Sequence, residues 1–572
     1  MHQPSTEPRP SLYYRYRVHE PWLPLPGAAP QRVPVLVVGS GPAGLVTALE
    51  LARHGVRSVV LTADLQVSQG SRAIAFTRRS LEILQQVGVA GRMTALGLPW
   101  RYGTSFYRGQ AVFRMEAPQD PHDRFAPMLN IQQQFLEEYL VDACEAQPLI
   151  ELRWGNRLVA LQAQDDGVAA EVDTPGGACT VEADWLVAAD GGRSTVRSLL
   201  GQRLEGASYE GLFVIADIRV DLPFPTERRA YFDPDWNPGN TVLMHQEPLG
   251  LWRIDYQLPA GETPEQALEP QALRARIEAQ LAMVGHAGVP WELDWCSVYS
   301  ARTMTLPHYV AGRACFVGDA AHLLPIFGVR GANTAFQDAQ ALGWQLAHVA
   351  RGLAPPQLLL EGFSAERVGA AREIIAEAGK STRFMTPPSR GFRLLRDAVL
   401  SLSLTQPFVR PLYPWRTARA HVYADSQLNC AGDDNAGFTA GPAAGETARN
   451  VRLGADDFLL DHLGGGFDLL LFTRRPSLPD ALRRDIDAAR AKGLRLRVVA
   501  VNGGAALAGT DVAWTDADGT FRMRYGVAGD DAAYLLRPDQ HVCARWLSID
   551  RMDLQAALDA ALQRHAPMPA PP

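Results

Sequence analysis

The sequence predicts an α/β protein: a parallel-sheet unit, an antiparallel sheet inserted into it, and a further α/β domain towards the C-terminal end. Three observations carry this. Val33 to Leu61 reads as strand, glycine-rich turn, helix and strand. From about 205 to 300 the texture changes to short alternating runs separated by Pro and Gly, as in an antiparallel sheet. After a Gly/Asp-rich stretch at 431–437, strand and helix patterns resume. At 572 residues the chain exceeds what one core sustains, and two to four domains follow.

The first unit is the most specific. The apolar run Val33-Pro34-Val35-Leu36-Val37-Val38 suits a strand covered on both faces. Gly39-Ser40-Gly41-Pro42-Ala43-Gly44 follows, then Leu45, Ala48, Leu49 and Ala52 at helical spacing, then Val59-Val60-Leu61. In such a turn Gly39 permits the tight bend, Gly41 lets a pyrophosphate approach the backbone, and Gly44 lets helix and strand pack closely. Free N–H groups at the helix start then face phosphate. This context predicts dinucleotide binding. The strand ends in Leu61-Thr62-Ala63-Asp64, so Thr62 stands at the usual ribose-binding position and Asp64 is the nearest acid.

Composition excludes several classes. Hydrophobic content of 47% and charged content of 20% are those of a globular protein. A net charge of −7 argues against a nucleic-acid partner. The six cysteines are scattered without a CxxC or a His/Cys ligand spacing, which predicts a reducing, cytoplasmic setting and neither disulfides nor a bound metal. No apolar run reaches about 18 residues, so no membrane span is expected. Residues 1–30, rich in Pro, Tyr and Arg, read as a surface-packed arm, with a crossing to the second subunit of a homodimer as the alternative.

Further along, Gly70-Ser71-Arg72-Ala73-Ile74 precedes a helix carrying Leu81, Ile83, Leu84 and Val87. Gln133 opens another amphipathic helix. Leu158–Gln162, Val168–Asp173 and Cys179–Ala183 read as antiparallel strands. A second buried strand, Trp185–Ala189, ends in Asp190-Gly191, and a third, Ala314–Val317, ends in Gly318-Asp319-Ala320-Ala321-His322. The latter runs on through Pro325 and Val329-Arg330-Gly331-Ala332-Asn333 into a helix, and residues 340–430 read as largely helical. The C-terminal strands Phe467–Phe472, Leu494–Val501, Ala532–Leu536 and Val542–Leu547, with helices at 478–492 and 551–564, suggest a thioredoxin-like fold without its redox cysteines.

Three signatures in this order, Gly39–Gly44, Asp190-Gly191 and Gly318–His322 with the Gly331-Ala332-Asn333 turn, resemble the class A flavoprotein monooxygenases, the family of para-hydroxybenzoate hydroxylase and phenol hydroxylase. The resemblance covers roughly residues 33–380. The C-terminal segment is similar to the thioredoxin-like appendage of the 3-(3-hydroxyphenyl)propionate hydroxylase branch. It implies an arm (1–30), a Rossmann-like FAD-binding domain in two parts (31–204 and 311–430), an inserted antiparallel-sheet substrate domain (205–310), and a linker with a thioredoxin-like domain (431–572). It also implies that Gly39, Gly41, Pro42, Ala43 and Gly44 receive the FAD pyrophosphate; at the ribose, either Asp64 takes the role of the usual acid or the pocket is wetter there. By the same resemblance Arg72 and Gln133 are expected against the flavin, Asp190 in the Asp-Gly motif, and Asp319 on a ribitol hydroxyl. Val329, Arg330, Gly331, Ala332 and Asn333 lead into the helix aimed at the isoalloxazine, with Pro325 on its oxygen side. A helix N-terminus there stabilises charge that develops on the reduced ring. His322 reads as a structural histidine in that turn.

The activity implied is hydroxylation of a phenolic or related aromatic substrate through a flavin C4a-hydroperoxide, with NADPH or NADH and O2 as co-substrates. Aligned by loop length with the family's substrate hairpin, residues 240–258 place Arg253 near the flavin and turn His245 and Asp255 inward. Glu247 stands where the family has a carboxylate-gripping arginine. A slip of one residue would reverse every facing. An FAD-dependent oxidase or dehydrogenase on the same fold, and a non-catalytic flavin-binding interaction protein, are the alternatives. An FAD-dependent halogenase is disfavoured because no Trp-x-Trp-x-Ile-Pro segment occurs.

Overall fold

Both faces of the first sheet are covered, which is why its strands are continuous apolar runs. The computed structural model describes residues 2–25, 27, 29–325, 328–413, 419–430, 437–502 and 507–564. Strand Gln31–Val38 pairs in parallel with Ser58–Leu61 on one side and Gly177–Ala188 on the other. The sheet extends to Ile150–Arg153 at one edge and to Ala314–Phe316 and Val310–Ala311 at the other. Helices Pro42–Arg53 and Gly331–Ala350 pack against it and against each other.

Cys179–Ala183 and Trp185–Ala189, expected as two strands, fall, up to Ala188, on one strand of 12 residues, Gly177–Ala188. It is antiparallel to Val168–Thr174 from Gly177 to Ala183 and parallel to Gln31–Val38 from Val181 onward. Residues 181–183 pair on both sides, so the hairpin strand and the nucleotide-domain strand are continuous.

The second sheet has eight strands, with Glu205–Arg219 between the long Glu292–Thr305 and Leu251–Gln257, followed by Thr241–Glu247 and Arg228–Phe232. It reaches outside the expected 205–310. The hairpin Tyr102–Tyr107 and Gln110–Glu116 joins through a parallel pairing with Arg228–Phe232, and His322–Leu323 pairs at the far edge. One face buries Val214, Ala216, Met244, Trp252 and Ile254 against Leu273, Ile277 and Leu281 of helix Pro270–Met283. The opposite face is apolar at one end only. There Phe213, Ala230, Phe232 and Leu243 pack with Phe384, Met385, Leu400 and Tyr413, on and after helices Pro356–Met385 and Arg390–Ser403.

The stretch expected to be helical to 430 is helical to Leu412; residues 419–430 are turns and irregular backbone. Residues 431–436 of the expected linker lie outside the described residues. The C-terminal sheet centres on Phe467–Phe472, parallel to Leu496–Asn502 and antiparallel to Ala532–Leu536, with Val542–Trp546 at one edge. Val512–Thr515, only four residues long and not expected from the sequence, forms the other edge.

The N-terminal arm packs on its own chain. His19 stacks on Trp154 with ring centroids 3.9 Å apart, and Arg9 pairs with Asp294 at 2.7 Å. Tyr13 donates its hydroxyl to Gln134. The arm thus bridges the first-sheet unit and the second sheet.

Candidate active site

Three turns at the ends of the first sheet converge. The first is Gly39–Gly44. Gly39 has φ of 108°, and a Cβ there would fall 2.3 Å from the Ala189 carbonyl oxygen. At Gly44 a Cβ would meet the Gly39 carbonyl oxygen at 2.0 Å, whereas at Gly41 it would meet nothing within 4 Å. Close packing is therefore demanded at the first and third glycines and open space is left at the second, as pyrophosphate binding requires. Gly41 caps the helix and Pro42 occupies its first turn, so Pro42 contributes geometry but no N–H. Ala43 abuts the second turn: a Cβ on Gly318 would come 2.9 Å from the Ala43 methyl.

That second turn, Gly318–Ala320, carries Asp319. Its carboxylate is reached by solvent yet closely surrounded by protein, as for a side chain lining a deep cavity, and this surrounding raises its pKa. Beneath it His322 and Arg367 both bond Asp338, at 2.7 Å each, and the Gly318 N–H donates to the same carboxylate. Burial works against the Asp338 charge, but Arg367 and His322 outweigh it and hold its pKa below the ordinary range. His322 is fully buried there as a strut. Alongside, Asp190 accepts from the Val196 N–H through one oxygen while its other oxygen is buried without a partner among the described residues.

The third turn leads into helix Gly331–Ala350. Val329 sits at φ of 54°, a strained conformation for a β-branched residue. Asn333 holds it: its amide donates to the Val329 and Ala75 carbonyls and accepts from the Thr77 N–H and the Ser80 hydroxyl. All four bonds go to protein, so the Asn333 side chain braces the turn. Arg330 is buried 3.7 Å from Glu377, and a Cβ at Gly331 would meet nothing within 4 Å. Pro325 is buried just before this turn; Ile326 beside it lies outside the described residues.

Arg72 is exposed on a loop whose backbone is stapled from two sides. Gln133 accepts from the Ala73 N–H, and its own N–H donates to the Ser71 hydroxyl. Glu137 receives Gln133 and Ser68. From the second sheet Arg253 donates to the Ser71 and Arg72 carbonyls while gripping Asp217 at 2.7 and 2.8 Å. Asp64 is exposed beyond its strand, its carbonyl bonded to the Gly155 N–H.

The register sets the polar half of the second sheet. Arg228 pairs with His245, His245 with Arg253, and Arg253 with Asp217, so these side chains form a row on one face. Glu247 and Asp255, two residues along their strands, share it. His245, Arg253 and Asp255 are therefore brought together as expected. All are buried, yet His245 Nδ1, Asp255 Oδ1 and both Glu247 oxygens make no hydrogen bond among the described residues. Burial pushes Asp255 up to about 7 and Glu247 well above its ordinary value, and burial with Arg228 and Arg253 nearby holds His245 well below 6.5. Buried polar groups with unfilled hydrogen bonds beside an apolar cluster suit a ligand having both a polar group and an apolar body.

Sequence reasoning missed Asp217, Glu137 and Asp338, which position the site without lining it. Asp217 had a signal: it is the lone acid on the inward register of Phe213 and Ile215.

Residues 32–378 match the family model described as FAD binding domain. The chain is 27% identical over 451 residues to the 3-(3-hydroxy-phenyl)propionate/3-hydroxycinnamic acid hydroxylase of Mycolicibacterium smegmatis, covering 78% of each. It is 29% identical over 432 residues to the 6-methylpretetramide 4-monooxygenase of Streptomyces rimosus, covering 73% of this chain and 75% of that one. Aklavinone-11 hydroxylase, solved with FAD and aklavinone, superposes with a TM-score of 0.74 at 25% identity over 94% of this chain and 100% of the other. The flavin-dependent monooxygenase PieE shares the fold, with a TM-score of 0.77 at 24% identity over 94% and 100%.

Proposed function

The chain belongs to the FAD binding domain family and is a flavoprotein aromatic monooxygenase, and from that premise we propose how its residues divide the work. The residues present fit the cofactor: space at Gly41, the partnerless oxygen of Asp190 and the cavity-lining Asp319 are what a dinucleotide needs. When bound, FAD supplies the redox chemistry that couples NAD(P)H oxidation and O2 to ring hydroxylation.

In this reading the Gly39–Gly44 turn and the N–H groups of the helix it opens hold the pyrophosphate. Asp319 accepts from the ribitol, Asp190 lies nearby, and Asp64 stands nearest the ribose. The loop carrying Arg72, fixed by Gln133 and Arg253, closes one side of the isoalloxazine. The backbone of Val329-Arg330-Gly331-Ala332 presents a helix start to the other, where its dipole stabilises negative charge. Pro325 shapes the oxygen side. The substrate lies on the polar half of that sheet face, next to the helix-covered cluster of Phe213, Phe232 and Leu243, with its hydroxyl towards His245 and Asp255. Asp255, poised near neutrality, takes the phenolic proton; Arg253 positions and does not exchange protons. We read the C-terminal domain as thioredoxin-like and structural, since it has no CxxC.

The observation that carries this reading is the set of buried, partnerless acid–base groups on that one face. It is tested by screening substituted phenols for stimulated NAD(P)H oxidation and identifying products by mass. Oxidation that no aromatic stimulates, with peroxide the sole oxygen product, would overturn it.

A further inference from the structure

Two buried routes lead from one loop of the C-terminal domain to two of the three cofactor turns. The loop is Arg537-Pro538-Asp539-Gln540-His541, between the paired strands Ala532–Leu536 and Val542–Trp546. On the first route Arg79, buried on helix Arg78–Gln86, donates to the Asp539 carbonyl at 2.9 Å and to the Gln540 side chain at 2.7 Å. It also donates to Gln340 on helix Gly331–Ala350, at 2.8 Å, and to Glu82 on its own helix, at 3.3 Å. The same short helix begins at Thr77, whose N–H and whose neighbour Ser80 bond Asn333, which holds the strained Val329 carbonyl.

On the second route Arg537 pairs with Glu366 at 2.6 Å and with Asp539 at 2.7 Å. Glu366 adjoins Arg367, which grips Asp338, and Asp338 in turn fixes the Gly318 N–H beside Asp319. Trp344 closes the structure by donating to Asp539 at 3.0 Å.

We infer that the 537–541 loop is a positioning element of the flavin site: through Arg79 and Glu366 the C-terminal domain sets the geometry of the Val329–Asn333 and Gly318–Asp319 turns. This rests on the reading of those turns as cofactor contacts. The chemistry favours it over simple domain adhesion. Buried ion pairs contribute little net stability but fix orientation, because an arginine holding several acceptors has one arrangement. Elsewhere the same interface uses exposed contacts that lead to no turn, such as Arg495 to the Arg53 carbonyl at 2.7 Å.

The experiment compares three single substitutions in the full-length protein: Gln540→Leu and Glu366→Gln on the routes, and Arg495→Ala at the same interface off them. Each is measured for thermal stability, for FAD dissociation constant by fluorescence, and for the absorbance spectrum of bound flavin. The expected result is FAD affinity weakened about tenfold in Gln540→Leu and Glu366→Gln, the order of one lost charge-assisted hydrogen bond, with a shifted spectrum and Arg495→Ala unchanged. Equal FAD affinity in all three, with only stability lowered, would overturn the inference. Should Glu366→Gln fail to fold, Gln540→Leu against Arg495→Ala decides alone. Failure of the underlying site reading is distinguishable, since Asp319→Ala would then also keep the parental FAD affinity.

Discussion

Arg253 and Asp217 form a bidentate pair at 2.7 and 2.8 Å, and the same guanidinium holds the Ser71 and Arg72 carbonyls on the other domain. The pair therefore welds the second sheet to the loop that carries Ser71 and Arg72. Arg253→Met should destabilise by about 3–5 kcal/mol, because it leaves Asp217 buried and uncompensated. Denaturant unfolding of the FAD-loaded protein checks this. Adding Asp217→Leu should recover part of the loss in stability but not the loop position, so FAD affinity stays weak in the double variant.

Asp319→Ala should lower FAD affinity by about 10- to 150-fold, since a hydrogen bond to a charged acceptor is worth roughly 1.5–3 kcal/mol. Equilibrium dialysis against FAD is the measurement. A folded variant with parental affinity would show that Asp319 faces the cavity without holding the cofactor.

How much of this was legible differs from residue to residue. The Gly39–Gly44 turn was legible because its chemistry is local: three glycines, a strand before and a helix after, each in place within 30 residues. The facing of His245, Arg253 and Asp255 was legible from alternation, and the strand pairings place all three on one side. Asp217 and Asp338 were not, because each matters through an arginine distant in sequence, Arg253 and Arg367 respectively. The hairpin at Tyr102–Glu116 was also missed. Its strands join a sheet whose other members begin at Glu205, and only tertiary pairing reveals that. Asn333 was read as a cofactor contact, whereas its side chain is fully occupied by the protein; sequence identifies the turn but not which way an amide points.

Asp255 should leave opposite signatures on activity and stability. Burial raises its carboxyl from near 3.8 to about 7, so the folded protein holds this proton at pH values where the unfolded chain has lost it. Its contribution to stability is full below about pH 4, falls as pH rises to about 7, and is flat above, a change of about 4 kcal/mol at 1.36 kcal/mol per pH unit. As a base it works only when ionised, so kcat/KM should rise through the same pH, near 7. Asp255→Asn should abolish that limb and flatten the stability profile relative to the parent. A limb that persists in Asp255→Asn assigns the proton acceptor elsewhere.

The last prediction concerns substrate charge at Glu247. Its carboxyl is buried, faces the same side as His245, and lies 3.4 Å from the Arg253 guanidinium, which Asp217 already neutralises. Burial, reinforced by Asp217, pushes its pKa well up, which favours the neutral carboxyl. A protonated acid offers one hydrogen bond but no positive charge. A ring carboxylate entering here would be desolvated beside a carboxyl group and an arginine that Asp217 already neutralises, at a cost of several kcal/mol. The enzyme should therefore prefer phenols that are neutral at this end, alkyl-, amino- or halo-substituted. Glu247→Gln, which copies the protonated form in shape and charge, should keep both the preference and most of the activity. Comparing kcat/KM for a neutral phenol and its carboxylated analogue, in parent and variant, is the test. Preference for the carboxylated analogue in both proteins would mean that another cation on this face, Arg228 foremost, receives the carboxylate. A parental preference for neutral phenols that disappears in Glu247→Gln would mean instead that Glu247 is ionised, and that repulsion sets the selectivity.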